Sequence, residues 1–426
     1  MVALLVWATA ALPGGPSARA AGTPSPYAFA PDARFVQGTT DTTAAAPLEP
    51  GATYKSSLPP TDAPIAYRLD LDATSDAYVS VTAIPAPGST VQAGEGIKVT
   101  VENPDGRSCS LDRQTFGVVR SPRPITAWGA REISADRTLC KNAGTYYVIV
   151  ERVGTAAAAS GPWGLELFVA SEQPLRRTVA PSAPEAWNSA SPIPVTGDGV
   201  RREGGASFAS AASVGHGVWT SDVEPGRTLF YKVPLDWGRQ LSATVELSSS
   251  NSGDNPVVGA LALSLYNPAR GIVDDKSTSY DGRLTAAALP PLPPVAYENR
   301  FAVPARYQSM RFAGSYYLVV HLADDVAEKH GDGPFEVRLR VRVDGDEQAG
   351  PGYAGESKPA GVFEVAAGDE EAAAEGRGFG VGGGDDDRDT AMKVLAVSGI
   401  GTGTAVLVVL GVWVVVARRR VGAGRG

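Results

Sequence analysis

The chain has 426 residues, room for two or three domains, and its 43% hydrophobic and 20% charged residues suit globular domains better than a disordered or fibrous chain. The formal net charge of -8 argues against a nucleic-acid partner. The interior of the chain is more acidic still, because Arg19, Arg418, Arg419, Arg420 and Arg425 lie in the two end segments.

Residues 1–20 read as a secretory signal. Val2–Leu12 is apolar but too short to span a bilayer, and Ala18-Arg-Ala20 supplies a small-x-small cleavage site. A buried N-terminal strand or helix is the alternative. Residues 21–48, rich in Ala, Thr, Pro and Asp with little periodicity, are expected to be an extended lead-in.

Beyond residue 48 the chain carries one pattern twice. Tyr67-Arg-Leu-Asp-Leu-Asp-Ala73 returns as Tyr231-Lys-Val-Pro-Leu-Asp-Trp237, and Asn103-Pro-Asp-Gly106 as Asn267-Pro-Ala-Arg-Gly271, with one extra residue. Ala143-Gly-Thr-Tyr-Tyr-Val-Ile-Val150 returns as Ala313-Gly-Ser-Tyr-Tyr-Leu-Val-Val320, and Gly161-Pro-Trp163 as Gly333-Pro-Phe335. Four matches in one order mean two copies of one domain. The copies span residues 49–170 and 206–343, with a Pro/Ser-rich linker at 171–205. Strands dominate both. Leu241–Leu247 and Phe335–Val343 alternate, the latter with Val337, Leu339, Val341 and Val343 on one face and arginines on the other. Asn-Pro followed by Gly marks turns, so each copy is expected to be an antiparallel β-sandwich of jelly-roll type, making the chain all-β.

Residues 344–392 are rich in Gly, Ala and acids, including Asp369-Glu-Glu371 and Asp385-Asp-Asp387, and read as a disordered, self-repelling stalk. Residues 393–417 read as a transmembrane helix, since Val394–Ala417 carries no charge, and the basic tail 418–426 is expected in the cytoplasm. The bulk of the chain would then lie outside, with the lipid bilayer as its first partner. Gly399 and Gly403 give the small-xxx-small spacing that permits a homodimer.

The only cysteines, Cys109 and Cys140, fall in the first copy. In an exported domain a disulfide between them is expected to close a loop of about 31 residues. Their twins, Val273 and Met310, are apolar, which suits a packed contact in the same place. Two free thiols or a thiol nucleophile are the alternatives, but a nucleophile wants a base and there are three histidines, His216, His321 and His330. None has metal-ligand spacing with Cys, Asp or Glu, and no Gly-x-Ser-x-Gly, phosphate loop or His-Glu-x-x-His occurs. No cofactor, metal or catalytic residue is therefore expected. Asp70 has Pro234 as its twin, and Asp72 persists as Asp236 at a strand end, a turn position. Asp274, Asp275 and Asp281 read as a loop, either plainly solvated or a weak cation site. Trp128, Trp219, Trp237 and Tyr297 lie near turns and are the candidate stacking surfaces for a glycan or peptide, against the alternative of core or rim packing.

Asn103-Pro-Asp-Gly106 with Gly144-Thr-Tyr146, and their second-copy counterparts, resemble the bacterial pre-peptidase C-terminal domain, a small β-sandwich attached to secreted proteins. The resemblance implies a fold and an extracellular setting, and no active site. The whole layout is similar to actinobacterial envelope proteins that are exported and C-terminally anchored. Some of these carry a von Willebrand type A domain, whose Asp-x-Ser-x-Ser metal motif is missing here. The expectation is a non-catalytic envelope protein displaying two binding or scaffolding modules. The alternatives are a carbohydrate-active hydrolase with paired carboxylates and an accessory subunit of a membrane complex.

Overall fold

The computed structural model describes residues 27–375, apart from 135–137, 155–160, 178, 180, 185 and 251–254. The signal, residues 376–392 of the expected stalk, the apolar span at 393–417, its Gly399/Gly403 contact and the basic tail lie outside the described residues. Among those described, no helix is long and apolar enough to cross a membrane.

The first copy contributes β1 Arg34–Phe35, β2 Ala46–Leu48, β3 Thr53–Leu58, β4 Ile65–Leu71, β5 Asp76–Ile84, β6 Gly96–Glu102, β7 Ser108–Thr115, β8 Ile125–Arg131, β9 Gly144–Val153 and β10 Trp163–Glu172. The second contributes β11 Val200–Arg201, β12 Ala212–Ser213, β13 Gly217–Val223, β14 Thr228–Leu235, β15 Gln240–Leu247, β16 Val257–Tyr266, β17 Ile272–Tyr280, β18 Thr285–Ala288, β19 Gly314–Leu322 and β20 Phe335–Asp344. Three short helices, α1 Ala305–Gln308, α2 Asp325–His330 and α3 Ala367–Ala374, complete the described elements together with two 3₁₀ turns. Four five-stranded sheets result: β1-β3-β10-β5-β8 and β2-β4-β9-β6-β7 in one domain, β11-β13-β20-β15-β18 and β12-β14-β19-β16-β17 in the other. Adding ten to each strand number turns one order into the other. The repeat in the sequence is thus a repeat of topology.

Alternation explains the strands. In β20 Phe335, Val337, Leu339 and Val341 enter the core while Glu336, Arg338, Arg340 and Arg342 face out. Each domain has its own apolar core; Trp163 and Phe335 belong to these cores at twin positions. β10 breaks the alternation in burial. Its inner residues Leu165, Leu167 and Val169 are buried, but so are its outer residues Glu166, Phe168, Ala170 and Glu172. The reason is that the outer face of β1-β3-β10-β5-β8 is covered by the outer face of β12-β14-β19-β16-β17, with Tyr27, Phe230, Tyr266 and Val319 in one cluster and Tyr78, Phe168 and Phe312 in another. These two faces are not equivalent under the repeat, so the domains join head to tail.

Cys109 and Cys140 form the expected disulfide, with S–S 2.02 Å and Cα–Cα 5.8 Å. Val273 and Met310 are both buried in the core of the second domain.

Several expectations are corrected. Residues 344–375 are not a solvated stalk: Phe363 is 1% exposed, and α3 packs against β12 and β14. The lead-in from residue 27 is folded, with Tyr27 buried and β1 and β2 paired in parallel to β3 and β4. Asp274 and Asp275 lie on strand β17 rather than in a loop. The Asn267 turn carries no extra residue: Asn267 N–H donates to Gly271 O as Asn103 N–H donates to Arg107 O. Arg270, at φ 60°, occupies the left-handed position that Gly106 holds at φ 73°. A non-glycine residue there is disfavoured by about 1 kcal/mol, so something must hold Arg270 in place.

Candidate functional site

What holds Arg270 is the seam between the domains. Its guanidinium donates to Glu166 Oε1 at 2.8 Å and lies over the Phe168 ring at 4.2 Å. Glu166 also accepts from Tyr27 Oη at 2.9 Å and from the Ala30 amide at 2.8 Å. Burial, with the Glu166 charge added, pushes the Tyr27 phenol up, so it remains a neutral donor.

A second polar cluster closes the other end. Asp76 and Glu172 are cross-strand partners on β5 and β10. Arg300 reaches Asp76 at 3.1 Å and Glu172 at 3.5 Å. Glu172 accepts from Tyr78 Oη at 2.7 Å and from Tyr353 Oη at 2.9 Å. Arg311 pairs with Glu132 and lies over the Tyr78 ring. His321 on β19 shares one ring nitrogen with Thr228 Oγ1 and the other with Ser121 Oγ of the first domain, each at 2.9 Å.

Two of these groups titrate in opposite senses. Burial, reinforced by the Glu172 charge and opposed by Arg300, pushes Asp76 up to about 6. Burial, with the nearby Arg123 charge, holds His321 well below the usual imidazole range. An acid raised in the folded state contributes stability that is full below about pH 4 and lost as pH rises through about 6. A base depressed in the folded state contributes stability above about pH 6.5 that is lost as pH falls. The two offset in wild type. Relative to it, Asp76→Asn is expected to lose stability more steeply as pH falls from about 6.5 to about 4, and His321→Asn less steeply. Urea midpoints across that range check the pair; equal slopes in all three proteins would contradict it.

The sequence candidates are scattered. Trp128 stacks on Tyr78 at 5.6 Å at the seam, close enough that a Cβ on Gly271 would lie 2.7 Å from its ring. Tyr297 lies under the Arg300 guanidinium, 4.2 Å from ring centroid to carbon. Trp219 is core, its indole donating to Gly215 O at 2.9 Å. Trp237 is half-buried against Gly350. The four form no shared platform: two belong to the seam and two to the second domain. Asp72 caps its turn, accepting from the Thr74 and Ser75 amides at 2.7 Å; burial opposes ionisation, but these bonds hold it down at about 2. Among the described residues no cluster of three or more His, Cys, Asp or Glu side chains converges to hold a metal ion. A groove of about 250 Å³ opens at the seam edge between Pro85, Pro87, Pro122, Pro124 and Pro225, beside Arg123, Arg227 and Asp324.

Arg270 sits in a turn, but Glu166, Phe168, Tyr266 and His321 lie on strands, away from the turns where binding motifs are usually sought. The signal for them is in the twins. Phe168 and Ala170 stand where the second copy has Arg340 and Arg342, while Tyr266 and His321 stand where the first has Glu102 and Glu151. A face that is apolar in one copy and charged in the other is a face covered in one copy only.

No protein family's profile matches the chain, and no curated protein matches it. Solved structures that it is similar to include the N-terminal CBM22-1-CBM22-2 tandem domain from Paenibacillus barcinonensis Xyn10C, 9% identical, covering 66% of this chain and 83% of that one, with a TM-score of 0.18. Tripeptidyl peptidase 2 is 8% identical over 69% of this chain and 24% of its own, with a TM-score of 0.21. The tandem CBM51 modules of Sp3GH98, a family 98 glycoside hydrolase from Streptococcus pneumoniae, are 8% identical over 68% and 83%, with a TM-score of 0.17. Scores this low assign no ligand, and the tandem β-sandwich fold rests on the chain's own strand order and register.

Proposed function

We propose that this chain is a non-catalytic envelope protein, exported and held by the apolar segment at 393–417. Its two sandwiches act as one binding or scaffolding body outside the membrane. The observation that carries this reading is the use of the chemistry-bearing side chains as joints. Glu166, Asp76, Glu172, Arg270, Arg300, Arg311 and His321 are buried or nearly so in the seam, each engaged with a neighbour across it. What remains for a partner is the outer surface and the proline-rimmed groove. The resemblance to secreted pre-peptidase C-terminal sandwiches supports the same setting.

The hydrolase reading has one observation in its favour, the adjacent Asp76 and Glu172 carboxylates. Glycoside hydrolysis needs such a pair about 5–10 Å apart, open to substrate and, in part, free of neutralising cations. Here Arg300 bridges the two and Tyr353 covers Glu172. Purification of the tagged full chain from detergent-solubilised membranes is the test. A stoichiometric envelope protein or glycan carried through purification is expected. Recovery of the chain alone would sink the scaffold reading and the accessory-subunit reading together.

A further inference from the structure

The segment after β20 behaves as a ligand bound to the rest of its own chain. Gln348 N–H donates to Trp237 O at 2.8 Å. The chain then reaches the first domain, where Arg176 N–H donates to Gly352 O at 2.9 Å and Ala354 N–H to Pro174 O at 2.8 Å. Tyr353 places its hydroxyl on Glu172. Ser171 and Lys358 exchange both backbone bonds, at 2.7 and 3.0 Å. This last pairing falls where β3 has ended beside β10, since the β3 register stops at Thr53 opposite Phe168. The segment thus pairs backbone to backbone with the end of β10 and the chain just beyond it through two isolated bridges, Ser171 with Lys358 and Leu175 with Tyr353, the kind of bonding used in peptide capture by strand addition.

Side chains anchor the segment further along. The Phe363 ring stacks on Phe312 of the second domain at 4.7 Å and meets Tyr78 of the first edge-on at 6.1 Å. Gly314, at φ 128°, makes way for it: a Cβ there would lie 2.5 Å from Val362 O. Ala373 of α3 is buried, and its carbonyl would lie 3.3 Å from a Cβ on Gly215. The exposed stretch 345–350 is the only covalent tie between β20 and this ligand.

We infer that the two sandwiches form a peptide-binding groove, that residues 351–375 are its resident occupant held independently of the tie at 345–350, and that a free peptide of that sequence competes for it. Backbone pairing, the Tyr353 hydroxyl and the Phe363 ring supply recognition, and none of these depends on the covalent tie.

The test uses the full chain in detergent, with a protease site replacing residues 346–349 and a C-terminal tag. After cleavage the two fragments are expected to co-elute. A large excess of a synthetic peptide of residues 351–375 is expected to displace the tagged fragment, and the same peptide carrying Phe363→Ala to compete at least tenfold more weakly. Separation of the fragments on cleavage, failure of the unaltered peptide to displace, or equal competition by the two peptides would each overturn the inference.

Discussion

Replacing Arg270 by alanine is expected to lower the stability of the folded chain by about 3 kcal/mol, measured as the shift in denaturant midpoint. Removing one partner of a buried ion pair costs about 3–5 kcal/mol because the other charge is left uncompensated. Glu166 has a fully buried side chain. The lower end of that range applies because Tyr27 Oη and the Ala30 amide still donate to it. Alanine also keeps the cost of a left-handed backbone at residue 270. Arg270→Gly removes that cost and is expected to recover about 1 kcal/mol relative to alanine. The ordering wild type, then glycine, then alanine separates the two contributions. Alanine and glycine variants of equal stability would contradict the turn assignment, and a wild-type-like alanine variant would contradict the ion pair.

Removing the disulfide, by replacing Cys109 and Cys140 with alanine, is expected to cost about 3–4 kcal/mol on the chain-entropy account. The bond spans a sequence separation of 31 and ties β7, the edge strand of its sheet, to the loop before β9. The second domain has Val273 and Met310 at the twin positions, both in its core. Hydrogen exchange in reductant should therefore show protection lost first across β6, β7 and β9, with β16, β17 and β19 retained. Uniform loss across both domains would contradict this asymmetry.

The sandwiches are legible in the sequence because a strand's period of two writes its buried face directly into residues such as Val337, Leu339 and Val341. The cysteine pairing is legible because the repeat supplies apolar twins for comparison. The segment 344–375 reads wrongly for a physical reason. Composition averages over a stretch, and this one carries few large apolar residues, chiefly Tyr353, Val362, Phe363 and Val365. Such a segment cannot bury enough surface against itself, but it needs little when two sandwiches supply the surface. Arg270 reads wrongly because aligning the glycines Gly106 and Gly271 looks less strained than placing an arginine in a left-handed turn. The distant Glu166 and the Phe168 ring hold the arginine there. The stacking aromatics stand out one by one near turns, and nothing in the local sequence tells that Trp128 packs against Gly271 of the other copy.

The seam is expected to join the two sandwiches into one rigid body. Spin labels on cysteines introduced at the exposed positions Leu111 on β7 and Leu284 next to β18 measure it directly, with the native disulfide left oxidised. Pulsed electron-spin distance measurement is expected to give a single narrow distribution in the otherwise wild-type chain, broadened by Arg270→Ala. A broad distribution in the protein with its seam intact would show two sandwiches moving independently and would contradict the account.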